Sequence, residues 1–247
     1  MTQDSSIQSL DRGLAILRLI ADKRCVTASY VSSKLGIHQS SGSRLLNSLL
    51  KAGFVKKPNF HSFSLDYGAL EFAGLALNSL PGVQVAYKCC DYISQETKLN
   101  VSIGILRDNK ILYLTHNDIE RGSGLKILSD KQMALHKSSL GCVIAWSLGQ
   151  KKGLKLLKQS YEFASEKDES QKLLQEVSDS MEKDRLFWFT AQEGVKFNAA
   201  VPFDLDGEKA AVAVYSRKRT EKKNKVHAIL MDCLNILSEK GEGFAKN

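Results

Sequence analysis

Apolar residues recur at Leu10, Leu14, Leu17 and Ala21, the three-and-four spacing of an amphipathic helix, and Ser9 stands where an N-cap belongs. A short second helix is predicted through Tyr30, Val31 and Leu35, opened by Thr27 and closed by Gly36, because glycine accepts the left-handed conformation of a helix stop. After a turn at Gly36-Ile37-His38, a third helix is predicted from Gln39 to Ala52. Wound at one hundred degrees per residue, it gathers Gly42, Leu45, Leu46, Leu49 and Ala52 on one side and Ser40, Ser43, Arg44, Asn47 and Lys51 on the other. Gly53-Phe54-Val55-Lys56-Lys57 then reads as a strand, Pro58-Asn59 as its turn and Phe63-Ser64-Leu65 as the return strand. Three helices and a two-stranded ribbon in this order predict a winged helix-turn-helix.

A further helix, Tyr67 to Ser79, is apolar along Leu70, Ala73, Gly74 and Leu77, and its small residues would let another helix approach closely, in a dimer or, as an equal alternative, by burial against its own domain. Leu80-Pro81-Gly82 interrupts the helical pattern and marks a boundary. Beyond it, helix is predicted from Val83 to Lys98, and strands at 100–107, 110–116 and near 125–128. Helices then follow at 138–148, 151–160 and 168–184, strands at 197–203 and 209–215, and a last helix from Thr220 to Lys240. Asp108-Asn109 and Asp204-Leu205-Asp206-Gly207 supply hairpin turns, so the sheet is expected to be mainly antiparallel with helices on its faces. The organisation expected is 1–66 winged helix-turn-helix, 67–80 linker helix and 81–247 a second, α+β domain.

Charge sharpens the first domain. Residues 23–65 carry seven Lys or Arg and no Asp or Glu. A surface that is only positive gains affinity for the phosphate line of a duplex through counterion release. On the third helix the polar face is built of short hydroxyl and amide groups and one Arg, where a face selected for stability alone would carry Glu–Lys pairs. Small groups let a helix sink into the major groove, and Arg can grip a guanine edge with two hydrogen bonds. The expected DNA contacts are Gln39, Ser40, Ser41, Ser43, Arg44 and Asn47 on the helix and Lys56 and Lys57 on the wing, with Asn59 and His61 beside them.

The stretch from Ser9-Leu10-Asp11-Arg12-Gly13-Leu14 through Leu35-Gly36-Ile37, Ser40-Ser41, Arg44-Leu45-Leu46 and Gly53-Phe54-Val55 resembles the N-terminal domain of the IclR family of bacterial transcription regulators. Met133-Ala134-Leu135-His136-Lys137-Ser138-Ser139-Leu140-Gly141 and Glu193-Gly194-Val195-Lys196-Phe197-Asn198-Ala199-Ala200-Val201-Pro202-Phe203-Asp204 are similar to two further stretches of that family, in the same order. The resemblance implies a winged helix-turn-helix, a linker helix and a GAF-like effector-binding domain in a homodimer or a tetrameric dimer of dimers. It implies control of a catabolic operon through a double-stranded operator in response to a small organic-acid or aromatic effector. It places that effector against Leu125, Ile127, Ser138, Ser139, Leu140, Gly141, Thr190, Phe197, Ala213 and Tyr215. Free amides and hydroxyls at the start of the helix after Lys137 would supply an anion site.

The chain departs from the family at several positions, and the acidic cluster before Phe197 is reduced to Thr190-Ala191-Gln192-Glu193. Phe197 and Tyr215 stand where small polar groups are usual, which would shrink the cavity or line it with rings and leaves a ligand-blind assembly domain as the alternative. Cys142 replaces a Lys after Gly141. An enzyme would have to pair His136 with Ser138 or Ser139, and the sequence shows neither an orienting acid nor a nucleophile elbow, so no catalytic residue is expected. No metal or cofactor site is expected either, since His61 has no Cys or second His at ligand spacing. Five cysteines without a C-x-x-C pair suit a reducing, cytoplasmic setting, and no apolar run approaches the roughly twenty residues of a membrane span. The formal net charge of +8 agrees with a nucleic-acid partner.

Overall fold

The computed structural model describes residues 6–121, 123–128, 133–189 and 194–239. The chain divides into two compact units, Met1–Ser79 and Leu80–Asn247.

The first unit contains α1 (Gln8–Lys23), β1 (Val26–Thr27), α2 (Ala28–Leu35), α3 (Gln39–Lys51), β2 (Val55–Asn59), β3 (Ser62–Leu65) and α4 (Tyr67–Ser79). Ile16 and Ile20 of α1, Val31 of α2 and Leu46 of α3 form its core, closed by Val26, Val55 and Phe63. This changes the expected stripe of α1. Leu10 and Leu14 are exposed, and the burial falls on Ile16 and Ile20. The helix is apolar on two sides, and only the side of its C-terminal half meets α2 and α3.

Thr27 accepts a hydrogen bond from the Tyr30 amide at 3.2 Å, and Gly36 closes α2 at φ +61°, both as the sequence predicts. The cap of α3 is His38, whose Nδ1 accepts from the Ser40 amide at 3.3 Å. Gly42 lets α3 lie close on α2, since a Cβ there would sit 2.4 Å from Ser32 Oγ. The ribbon is a three-stranded antiparallel sheet in the order β1-β3-β2. Pro58 is therefore accommodated inside an edge strand, where its missing N–H leaves no ladder bond unmade. The turn moves to Phe60-His61, because Asn59 Oδ1 accepts from the amides of His61 (3.1 Å) and Ser62 (3.0 Å).

The second unit runs α5 (Pro81–Thr97), β4 (Asn100–Arg107), β5 (Lys110–Asp118), β6 (Ser123–Leu128), α6 (Ser139–Ser147), α7 (Gln150–Ala164), α8 (Ser170–Asp184), β7 (Phe187–Trp188), β8 (Phe197–Leu205), β9 (Glu208–Ser216) and α9 (Lys223–Glu239). Its six strands pair antiparallel throughout in the order β6-β5-β4-β9-β8-β7. Asp108-Asn109 and Asp206-Gly207 have positive φ at both positions, the left-handed pair of a type I′ hairpin. The chain is thus α+β, a helix-turn-helix unit followed by an antiparallel sheet unit.

One face of this sheet packs on α5 and α9 through Val101, Ile103, Val212 and Val214. The other packs on α6 and α8 through Ala200, Ala211 and Ala213, small residues that let α6 lie close to the strands. Residues Ser139 to Ala145 of α6 are all buried, so this helix sits inside the layer and its start is an interior feature. Gly141 is required there, because a Cβ would meet the Leu135 carbonyl oxygen at 2.4 Å. Among the described residues no helix is long and apolar enough to cross a membrane.

Candidate nucleic-acid surface and ligand cavity

On α3, Arg44, Asn47 and Lys51 are exposed, and among the described residues no bond to a protein partner holds their side chains, so their donors and acceptors are open to a ligand. Ser41 and Ser43 are half-buried beside them. Two of the expected contacts are partly committed within the protein. Gln39 Nε2 donates to Ser29 Oγ at 3.2 Å, tying the start of α3 to α2, and Ser40 Oγ lies 2.8 Å from His38 Nδ1. On the wing, Lys56 Nζ is 3.7 Å from Asp66 and 5.3 Å from the centre of the Tyr67 ring. Its charge is therefore partly answered at home, while Lys57, over the Phe63 ring at 5.1 Å, pairs with no acid among the described residues. Asp66 lies one residue beyond the acid-free window, and the fold carries it back to Lys56.

In the second unit a cavity of about 160 Å³ opens at the start of α6, between that helix and the strands β4, β5, β8 and β9. Of the residues expected to contact an effector, Ser138, Ser139, Leu140, Ala213 and Tyr215 line it. Ser138 Oγ accepts from the Gly141 amide at 3.4 Å and shares a 3.3 Å hydrogen bond with the Tyr113 hydroxyl. Ser139 Oγ donates to Asn198 Oδ1 at 2.9 Å. The early amides of α6 have no intrahelical acceptor, so the helix start presents donors and a positive dipole end to the cavity.

Two expected positions stand elsewhere. Phe197 lies on the opposite face of the sheet, its ring stacked on Trp188 at 5.4 Å in the core under α5 and α9. Period two carries Asn198 to the cavity in its place. Gly141 is packed under Leu135 and shapes the helix start without lining the cavity. Thr190 and the side chains of Leu125 and Ile127, which belong to strand β6, lie outside the described residues.

Other lining residues have no counterpart among the expected contacts. His116 takes a hydrogen bond with Ser102 Oγ (2.6 Å) on one ring nitrogen and with the Tyr215 hydroxyl (3.2 Å) on the other. Arg217 Nη1 donates to both carboxylate oxygens of Asp118 at 3.0 Å, and its guanidinium lies 5.0 Å from the Tyr215 ring centre. Burial pushes the Tyr113 and Tyr215 hydroxyls above the ordinary tyrosine range, so both meet a ligand as neutral hydrogen-bonding groups. Behind them Glu120 accepts from Ser216 Oγ (2.5 Å), the Arg217 amide (2.8 Å) and Asn100 Nδ2 (3.0 Å). Burial alone would raise the Glu120 carboxyl, and these donors outweigh it and hold it low.

His136 and Ser138 do not form a nucleophile pair. The His136 ring bonds Ser160 Oγ at 2.8 Å and Glu166 Oε2 at 2.9 Å and stacks on Tyr161, with centroids 3.9 Å apart. Glu166 also meets Lys137, and these two cationic or hydrogen-bonding neighbours, Lys137 first, hold its carboxyl below the usual range. The cluster ties the turn before α6 to α7. Burial pushes the Cys90 thiol up to about 12 and raises Cys142 further, which makes both poor nucleophiles. Among the described residues no three His, Cys, Asp or Glu gather as metal ligands.

Residues 9–58 match the model of the IclR helix-turn-helix domain. No curated protein matches the chain by sequence. Among solved structures, an IclR family transcriptional regulator from Brucella abortus superposes with TM-score 0.74 at 16% identity, over 97% of this chain and 94% of that one. A putative IclR regulator from Silicibacter sp. gives 0.71 at 16%, over 94% and 96%. An IclR homologue from Microbacterium hydrocarbonoxydans, solved with 4-hydroxybenzoate, gives 0.71 at 16%, over 96% and 100%. At these identities the likeness establishes the fold. The chain therefore carries an IclR helix-turn-helix domain within the fold of the IclR-family transcriptional regulators.

Proposed function

We propose that this protein is a sequence-specific DNA-binding regulator that reads an operator through α3 and answers to a small organic acid held at the start of α6. The observation that carries the reading is the exposed, acid-free face of α3, with Arg44 and Asn47 uncommitted, in a unit that matches an IclR helix-turn-helix domain. Arg44 grips a base edge, Asn47 and the serines contact neighbouring bases or phosphates, and Lys57 holds the wing against the backbone.

The acid reading is supported by the cavity itself. Helix-start donors, three serines, a histidine and Arg217 surround about 160 Å³, well under the roughly 300–1,000 Å³ of a typical ligand pocket, so the occupant is small. The Microbacterium homologue binds an aromatic acid, which is the same chemistry. Of the two rings that raised the ligand-blind alternative, Phe197 sits on the far side of the sheet and takes no cavity space, while Tyr215 lines the cavity. The regulated genes, on this reading, form a catabolic operon whose products consume the acid, and the protein works in the cytoplasm.

The regulator acts as a homodimer or a dimer of dimers. None of the residues of α4 is buried, and Leu70, Phe72 and Leu75 are each more than 60% exposed, an apolar surface that a second copy would cover. Paired copies then present two α3 helices to half-sites about one helical turn apart.

Selection of genomic fragments by the purified protein at near-physiological salt tests the DNA reading. Enrichment of a palindromic site with half-sites spaced by whole turns of about 10 base pairs supports it, and retention without sequence preference refutes it. Lys57→Ala should weaken binding to every duplex several-fold and reduce the slope of log affinity against log salt by about one, measured by fluorescence anisotropy. Lys56→Ala should do less, since Asp66 already answers that charge. A thermal-shift screen of mono- and dicarboxylates tests the effector reading. A ligand present at a hundredfold over its Kd stabilises the folded state by about 2.7 kcal/mol, so a binding acid raises the melting temperature clearly.

A further inference from the structure

Phe60 is the most exposed large hydrophobic side chain among the described residues, at 86%. It occupies the tip of the wing, a position where turn chemistry favours Gly, Asn or Asp and makes no demand for an aromatic ring. The tip is held rigidly. Asn59 Oδ1 takes the amides of His61 and Ser62, and the His61 ring meets the Phe60 ring edge-on, with centroids 5.2 Å apart at 83°. An apolar ring is thus presented to solvent on a short, ordered hairpin.

We propose that Phe60 is a wedge that enters the minor groove beside the recognition helix and partly unstacks a base step there. This rests on the DNA-binding reading above. A single exposed aromatic often has no role. Here its surroundings select the partner. The flanking charges are cationic, the segment from Lys23 to Leu65 contains no acid, and the wing belongs to the same compact unit as α3. A partner that is anionic on its outside and apolar within, and that already lies against this unit, is duplex DNA. Phosphates would take Lys57, while the ring passes between them to sugar and base faces. Apolar wedges of this kind kink a duplex at flexible pyrimidine–purine steps, so Phe60 would add a preference for such a step at a place where no hydrogen bond reads a base.

The test uses the full chain and a duplex taken from the genomic fragments that the wild type retains, with 2-aminopurine introduced at one flanking position at a time. The wild type should raise the fluorescence at one flanking step, reporting unstacking. Phe60→Ala should remove that rise and lower affinity about tenfold, with the salt slope unchanged because no phosphate contact is lost. Phe60→Leu, which can still wedge, should keep most of both signals. The residue is exposed, so both variants should melt with the wild type. Wild-type affinity together with an unaltered fluorescence pattern in Phe60→Ala overturns the wedge and leaves the DNA-binding reading standing. A loss of affinity without any fluorescence rise in the wild type also overturns it, since the ring would then touch the groove without entering. A wild type that retains no fragment overturns the DNA-binding reading, and the wedge with it.

Discussion

Replacing Arg44 with Ala should abolish discrimination at one base pair of each half-site while leaving binding to unrelated duplexes nearly unchanged. The guanidinium is exposed in the second turn of α3, uncommitted to any protein partner, and the helix around it is rigid, with Ser48 Oγ bonded to the Arg44 carbonyl at 3.0 Å. A bidentate contact to a guanine edge is worth about 1–3 kcal/mol of discrimination, hence roughly five- to 150-fold in affinity for the correct site. The loss should double in free energy for a dimer that contacts both half-sites. Arg44→Lys keeps the charge but cannot fork, so it should lose the preference as Arg44→Ala does, with binding to unrelated duplexes again nearly unchanged. Competition binding against duplexes altered one base pair at a time reads both quantities. If Arg44→Ala weakens all duplexes equally, the residue contacts phosphate and the base-reading role belongs to Asn47 or the serines.

That prediction rests on a helix the sequence makes legible, because α3 has one apolar side and one polar side and its period leaves a single way to bury it. α1 was less legible, since it has two apolar stripes and periodicity cannot say which of them the rest of the unit covers. The choice of Ile16 and Ile20 depends on contacts with α2, α3 and β3, which are tertiary facts. The charge window was legible as composition and misleading in one detail, since Asp66 folds back onto Lys56 from outside it.

The cavity shows the same limit in a sheet. Its helix-start half, Ser138 to Leu140, is local and could be found from a cap pattern. Its strand half depends on phase. β5 pairs Ile103 with Thr115 but Gly104 with Tyr113, so one extra residue, Leu114, bulges out of the ladder. A straight strand would put Tyr113, Thr115 and Asn117 on one face. The bulge instead brings Tyr113, His116 and Asp118 together at the cavity and turns Thr115 and Asn117 away. Nothing in the local pattern announces that slip. Arg217, by contrast, continues the alternation Ala213, Tyr215, Arg217 on β9 and its immediate extension, and extending the period by one step would have found it. β8 has no such bulge, and Phe197 stands one residue off the cavity because a resemblance aligned position by position does not say which face a strand presents.

Asp118→Ala should lower the stability of the second unit and raise its affinity for acids, two changes of opposite sign from one substitution. Asp118 is 9% exposed and Arg217 is 24% exposed in their side chains, and both carboxylate oxygens bond one guanidinium nitrogen. Breaking a fully buried pair costs about 3–5 kcal/mol because the surviving charge is left without compensation. The partial exposure of Arg217 lets water recover some of this, so about 2–3 kcal/mol is expected, visible as a lower denaturation midpoint. The guanidinium that survives still lies over the Tyr215 ring at the cavity wall, now without its carboxylate. A carboxylate ligand can take the place Asp118 gave up, so the melting temperature of the variant should rise more steeply with acid concentration than that of the wild type. Asp118→Asn preserves the shape and a single acceptor and should fall between the two. An Asp118→Ala protein that is destabilised but gains no more from any acid than the wild type does would place the ligand's charge away from Arg217, at the helix start alone.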